Sequence, residues 1–242
     1  MNNKIKNKII EAGIEFYEIE NDPRITRYKS WYYCHKAFKD AMEKKENGEE
    51  IDIDYLCLQL STYLASWGMY RNSFLLWRDY KVHAELINDV ILKKTYKSLW
   101  NIEVYKYKDE ENIKLLEELI NDIRKYYEPI RDDVYNFFKK DLKKDNGLTD
   151  TLISKILLGT MACAPAYDSY FKIGIHSLNI SGRNLIAESI RKLAKNEIVE
   201  DVLEEMSKKY SDNCPQMKLL DSCFWQLGYN IEKEKKKEKH KK

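Results

Sequence analysis

Turn-forming residues are scarce in this chain, which has only 8 glycines and 4 prolines in 242 residues. A protein built from many short strands needs a turn about every 8–12 residues, so this scarcity favours long helices with few connections. Apolar residues recur at helical spacing over much of the chain, for example at Ile113, Leu116 and Ile120. We therefore expect an all-α fold, an irregular multi-helix globular domain of about 9–11 helices that could form two helical subdomains.

The segment KKDNG, at residues 143–147, is the clearest boundary between predicted helices because it is charged and contains an Asn-Gly turn signal. We expect an N-terminal helical part over residues 1–142 and a C-terminal helical part over residues 148–230. The second part is expected to pack on the first as one globular unit. Residues 231–242 are predicted to be a disordered, lysine-rich tail.

Positive charge is concentrated in that tail, where seven lysines stand against three glutamates, a net charge of +4. The whole chain carries +2, which leaves −2 on the other 230 residues. A near-neutral body gives no overall sign of a nucleic-acid-binding surface. A basic patch would therefore have to arise from residues that the fold brings together.

The composition is that of a folded, soluble protein, with 43% hydrophobic and 34% charged residues. No apolar run approaches the roughly 20 residues of a membrane helix, and the first residues lack the apolar core of a secretory signal. The five cysteines are odd in number, scattered and outside any C-x-x-C or zinc-ligand spacing. We expect a cytoplasmic protein with reduced, mostly buried thiols, no metal, no cofactor and no membrane partner.

The stretch LASWGMYRNSFLLWRDYKVH, at residues 64–83, places hydrogen-bonding groups in an apolar helical pattern. The polar candidates in it are Trp67, Arg71, Asn72, Asp79 and His83. The first three are candidate ligand-binding residues. Asp79 and His83 are candidate catalytic residues, because a carboxylate and an imidazole four positions apart on a helix can form a general acid–base pair. Alternatively, these groups pair with neighbours and fasten helices together.

The stretch SKILLGTMACAPAYDSYFKIGIH, at residues 154–176, is a second such segment. Asp168 follows a proline that can begin a helix, so its carboxylate can be stabilised by the free N–H groups of the first turn. The alternative is functional: Asp168, Tyr167 and Tyr170 face a cleft, with Asp168 as a candidate catalytic residue and Tyr167 as a ligand-binding residue. Lys155 or Arg183 would supply positive charge there.

Three blocks of the sequence resemble an uncharacterised bacterial all-α protein family with SWxxC, LASWGMYR and PAYD blocks. They are RYKSWYYCHKAF (27–38), LASWGMYRNSFLLWRDYKVH (64–83) and KILLGTMACAPAYDSYF (155–171). The resemblance covers residues 24–176 and implies a helical fold, but the family supplies no activity to carry over.

The last block is also similar to a segment of helical DNA-repair glycosylases. In those enzymes, a helix is followed by a proline-containing turn and by an aspartate that faces the extruded base. Asp168 occupies the corresponding place in this chain. The chain departs from the pattern before the helix, because KKDNGLTD (143–150) has a single glycine and no Gly-x-Gly hairpin.

Three functional classes remain open, because the sequence contains none of the common nucleotide-binding or hydrolase motifs. The favoured class is a binding or regulatory protein whose partner is another protein or a nucleic acid. The second is a nucleic-acid-binding, base-excision-like or defence protein that uses Asp168 with nearby basic residues. The third is a small-molecule enzyme that uses Asp79 and His83.

Overall fold

The computed structural model describes residues 2–138, 148–183, 185–210 and 214–239. The α-helical segments within these ranges are α1 Asn2–Glu20, α2 Lys29–Glu46, α3 Ile53–Ser66, α4 Ala84–Leu86, α5 Glu110–Phe138, α6 Asp150–Thr160, α7 Ser169–Ile175, α8 Ile186–Ala194, α9 Glu197–Ser207 and α10 Gln216–Lys239. Short 3-10 turns join several of them, and no strand occurs among the described residues. The predicted all-α, multi-helix fold is confirmed.

The chain divides into two compact units that interleave along the sequence. The first unit contains the residues up to Thr26, then Asn101–Ile113, and then the residues from Ala162 onward. The second unit contains Arg27–Trp100 and Lys114–Met161. This division differs from the predicted one, because α6 belongs with α2 and α3 and not with the later helices. The predicted boundary at 143–147 lies outside the described residues.

In the first unit, α7 and α10 cross at a very close distance, and glycine makes this crossing possible. A methyl group on Gly228 would overlap the carbonyl oxygen of Tyr170, and one on Gly174 would overlap the carbonyl oxygen of Phe224. Both obstacles are backbone atoms, which cannot rotate away as a side chain can. The two glycines therefore fix how α7 lies against α10.

The second unit has its core between α2, α3 and α6. Thr149 caps α6 by accepting a hydrogen bond from the backbone N–H of Leu152 at 3.2 Å. All residues of α6 from position 152 to 160 are buried. Trp31 of α2 donates its indole N–H to the carbonyl oxygen of Leu158 at 2.9 Å, which links α2 to this buried helix.

The α-helical pattern predicted over residues 64–83 is wrong for most of its length. α3 ends at Ser66, and Gly68 has a φ of +76°, in the left-handed region that glycine adopts without steric cost. Asn72 also has a positive φ, +56°. Beyond this break the chain forms 3-10 turns, the short helix α4 and a π-helical turn over Ile87–Ile91.

The lysine-rich segment also differs from expectation. Where the sequence suggests a disordered tail from residue 231, α10 continues as helix to Lys239. Its inner half, to Gly228, is largely buried, whereas the residues from 233 to 239 are exposed. The outer half of α10 is thus a solvent-facing helix that carries lysines. None of the helices in the described ranges combines the length and the apolar character needed to cross a membrane.

The thiols agree with the prediction of buried, unpaired cysteines. Four of the five cysteines are buried, Cys214 is half-buried, and all five are free. Burial raises the pKa of the Cys163 and Cys223 thiols to about 12, so both stay protonated at neutral pH.

Candidate functional site

The predicted acid–base pair of Asp79 and His83 does not form. Residues 80–83 are a 3-10 turn, so the two side chains do not share the face of an α-helix. Asp79 is exposed, and its carboxylate accepts a hydrogen bond from the backbone N–H of Lys81 at 2.8 Å, which caps that turn. The interpretation of Asp79 as a partner of His83 is therefore wrong.

His83 itself is a core residue, with none of its surface exposed. Its Nδ1 lies 2.5 Å from the hydroxyl of Tyr127, and its Nε2 lies 3.3 Å from the hydroxyl of Tyr70. Burial lowers the pKa of His83 to about 3, so the imidazole is neutral at physiological pH. The imidazole therefore stabilises the core of the second unit, because both of its nitrogens lie within hydrogen-bonding distance of tyrosine hydroxyls.

The other three candidate residues of the stretch 64–83 do not share one environment. Trp67 lies in the turn after α3, with the guanidinium of Arg27 4.7 Å and the ammonium of Lys155 4.8 Å from its ring centroid. The structure thus brings two predicted ligand-binding residues, Trp67 and Lys155, together as a cation–π pair in the second unit. Lys155 is only 3% exposed. Arg71 and Asn72 are exposed in the turn that follows.

Asp168 caps α7, so its carboxylate is stabilised by the start of a helix as predicted, but that helix begins at Ser169 and not at Pro165. One carboxylate oxygen accepts a hydrogen bond from the backbone N–H of Phe171 at 3.0 Å, and the other accepts the indole N–H of Trp225 at 3.1 Å. Tyr167, the adjacent candidate, is fully buried, so its ring does not face solvent. Both residues belong to the first unit, whereas Lys155 belongs to the second.

Arg183 is the predicted site residue that lies at an open recess. We call this recess the basic groove; it has a volume of about 490 Å³ and is formed by α7, the turn after it, and α10. Its lining residues are Lys172, Ile173, His176, Ser177, Ser181, Gly182, Arg183, Ile231 and Lys235. The volume lies in the range of about 300–1,000 Å³ that is typical of ligand pockets.

The lining of the basic groove contains cations and hydroxyl groups and no carboxylate. Among the described residues, Lys172, Arg183 and Lys235 form no ion pair with any Asp or Glu. Many other lysines do, as in the pairs of Lys192 with Glu188 and of Lys208 with Glu204. Three cationic side chains therefore line one recess without a carboxylate partner from the described chain, and the ammonium of Lys172 also lies 5.5 Å from the ring centroid of Tyr167.

Local structure holds these groups in place. The hydroxyl oxygen of Ser181 accepts the backbone N–H of Arg183 at 3.2 Å, which shapes the turn that presents the guanidinium. Gly182 lies against the side chain of Lys172, where a larger residue would press on the first carbons of that side chain. Lys235 is positioned by α10, whose crossing with α7 is fixed by the two glycines.

Besides Arg183, the basic groove has three basic members that the sequence did not indicate: Lys172, His176 and Lys235. Lys172 and His176 lie one turn apart along α7 and its 3-10 extension, and Lys235 lies in the segment that the sequence predicts to be a disordered tail. Gly174 and Gly228 carried the missing signal, because a glycine within an apolar helical pattern can indicate a close approach of two backbones.

In the part of the chain that the structure describes, no three His, Cys, Asp or Glu side chains are grouped as metal ligands would be. The basic groove is the candidate site because cationic side chains line an open recess there, and the chemistry that this lining favours is the binding of anions. Comparisons with protein-family models, with curated proteins and with solved structures found no match to this chain.

Proposed function

We propose that the protein is a nucleic-acid-binding protein that holds phosphate groups of its ligand in the basic groove. The observation that carries this proposal is the set of three cations, Lys172, Arg183 and Lys235, that face the groove without a carboxylate partner in the described residues. Phosphate contacts of this kind supply most of the affinity of proteins for nucleic acids.

The groups of the groove suit phosphate in several ways. The guanidinium of Arg183 can donate two parallel hydrogen bonds to phosphate oxygens, and the lysine ammonium groups act as point charges. Ser181 uses its oxygen as an acceptor, which leaves its O–H to donate to an anion. The lining thus offers both charge and directed hydrogen bonds.

A polymeric ligand fits better than a small anion because positive charge continues beyond the groove. Lys233 and Lys237 on the same helix are exposed and have no ion pair among the described residues. We call these two lysines the basic strip. Because the chain as a whole is near neutral, the strip is a local concentration of positive charge. A backbone with several phosphates can meet the groove and the strip together.

Fluorescence anisotropy with a labelled oligonucleotide tests the proposal. On a single strand, the three cations of the groove alone predict that log K falls with log salt at a slope of about −2 between about 50 and 200 mM salt, and two further contacts from Lys233 and Lys237 steepen it to about −3.5. Arg183→Ala and Lys235→Ala should each weaken binding about tenfold and reduce the slope by about 0.7. Circular dichroism checks that each variant is folded.

Lys208→Ala is the matched control. It removes one positive charge from the same unit, but this lysine is already paired with Glu204 and Glu205 on α9. Its affinity and salt slope should stay close to those of the wild type. The proposal is wrong if no oligonucleotide binds at the lowest salt, or if Arg183→Ala and Lys235→Ala behave like the control.

A further inference from the structure

One row of side chains along α10 combines aromatic rings with positive charge. Trp225, Tyr229, Lys233 and Lys237 follow one another at spacings of four residues and so lie along one side of the helix. The rings of Trp225 and Tyr229 are parallel within 2°, with centroids 5.7 Å apart. The row therefore consists of two stacked aromatic rings followed by two cations.

A small recess lies beside this row. It is lined by Tyr170, Tyr229, Glu232, Lys233, Lys236 and Lys237 and has a volume of about 230 Å³. Tyr170 of α7 stands edge-on to Tyr229, with centroids 5.5 Å apart and an angle of 81°, and forms one wall. The recess is smaller than the roughly 300 Å³ at which pockets for drug-sized molecules begin, and this size suits a single flat ring.

The inner end of the row is held rigidly. The indole N–H of Trp225 donates to the carboxylate of Asp168 at 3.1 Å, and the ring meets the edge of Phe16 at 5.9 Å. Tyr229 rests on this anchored ring and so has a fixed orientation. A platform that is ordered before the ligand arrives loses little conformational freedom on binding.

At the outer end of the row, a ligand can replace the lysine that contacts Tyr229. The ammonium of Lys233 lies 5.8 Å from the ring centroid of Tyr229, and this lysine is exposed. A cation–π contact at an exposed site is weaker than the stacking of a nucleobase on an aromatic side chain. A base can therefore displace the ammonium from the ring, and the freed lysine remains close enough to contact the adjoining phosphate.

The recess and the basic groove lie on different sides of α10. Lys235 and Lys233 are two positions apart, which separates them by about 160° around a helix of 3.6 residues per turn. A ligand that reaches both places must bend around the helix. A flexible single strand can do so, whereas a duplex is stiff over roughly 150 base pairs.

We infer that the ligand is a single-stranded nucleic acid, which stacks one base on Tyr229 in this recess while its phosphates lie in the basic groove. This inference rests on the proposed function and specifies the class of nucleic acid. The recess supplies the aromatic face, Tyr170 supplies the wall, and Lys233 and Lys237 supply charge for the adjoining backbone.

Three labelled probes of equal length test this inference on the wild-type protein: a single strand, the same strand without its bases, and the corresponding duplex. The abasic strand keeps all the phosphates and loses the bases. We expect the single strand to bind about tenfold more tightly than the abasic strand. We also expect the single strand to bind more tightly than the duplex.

Variants locate the effect. Tyr229→Leu should lower affinity for the single strand about tenfold and leave both the abasic strand and the salt slope unchanged. Tyr229→Phe keeps the ring and should bind like the wild type. Tyr105→Leu is the matched control, because it removes another exposed tyrosine of the same unit outside the recess and should change nothing.

The outcomes separate the inference from the proposed function. If abasic and base-containing strands bind equally, or the duplex binds as tightly as the single strand, the stacking inference is overturned. If, in that case, Arg183→Ala still weakens binding, the basic groove remains the phosphate site. If no probe binds at low salt, both are overturned. The comparison of probes needs only the wild type, so it decides the question even if Tyr229→Leu fails to fold.

Discussion

Lowering the pH should destabilise this protein through one buried histidine. His83 has a pKa of about 3 in the folded chain, against 6.5 for an unperturbed histidine, because burial disfavours its charged form. Below pH 6.5 the unfolded chain therefore binds a proton that the folded chain does not. Stability from this residue is fully present above pH 6.5 and is lost as the pH falls from there towards 3.

The size of the effect follows from this difference in pKa. Each unit of pH between the two values is equivalent to about 1.4 kcal/mol, so from pH 7 to pH 4.5 the contribution of His83 falls by about 2.5 kcal/mol. This is a large part of the roughly 5–15 kcal/mol by which domains are usually stable. Urea unfolding at pH 7, 5.5 and 4.5, followed by circular dichroism, measures it.

A His83→Gln variant isolates the contribution. The variant should be less stable than the wild type at pH 7, because it changes a packed ring and its contacts with Tyr127 and Tyr70. Its stability should nevertheless fall by about 2.5 kcal/mol less between pH 7 and 4.5. Parallel curves for the wild type and His83→Gln would refute the reasoning.

Two further substitutions test the packing of the first unit. Gly228→Ala should lower the free energy of unfolding by about 3 kcal/mol, because its methyl group would overlap the backbone carbonyl of Tyr170. In calorimetry this is equivalent to a fall in Tm of roughly 6–12 °C. An unchanged Tm would contradict the close crossing of α7 and α10. Lys218→Met should cost about 3 kcal/mol in chemical unfolding, because it leaves the partly buried carboxylate of Glu20 without this partner at 3.3 Å. Lys6→Met breaks a more exposed ion pair between α1 and Asp201 of α9 and should cost less than about 1 kcal/mol; equal losses would show that burial does not matter here.

The fold class could be predicted because local rules and long-range packing agree in most of the chain. The amphipathic helix α5 was identifiable from the spacing of Ile113, Leu116 and Ile120. The helical prediction for residues 64–83 failed for a physical reason. Their apolar spacing is compatible with α, 3-10 and π turns alike, and the left-handed backbone at Gly68 and Asn72 decides which form follows.

The site was less predictable than the fold because its members come from separate segments. Arg183 was recognised as a basic residue near a turn, but its neighbours in space depend on how α7 crosses α10. That crossing is set by Gly174 and Gly228, which lie 54 positions apart and have no local pattern that links them. Spacing within one helix cannot reveal such a meeting point.

The outer half of α10 should also report directly on the state of its ligand. Lys233 and Lys237 are four positions apart, and like charges at this spacing repel each other and loosen the helix. Few buried residues hold this part of the helix in place, so its amide hydrogens should exchange with solvent much faster than those of the inner half. Any anion that neutralises the lysines would slow that exchange. Amide hydrogen exchange in the outer half of α10 would then measure ligand binding without a label.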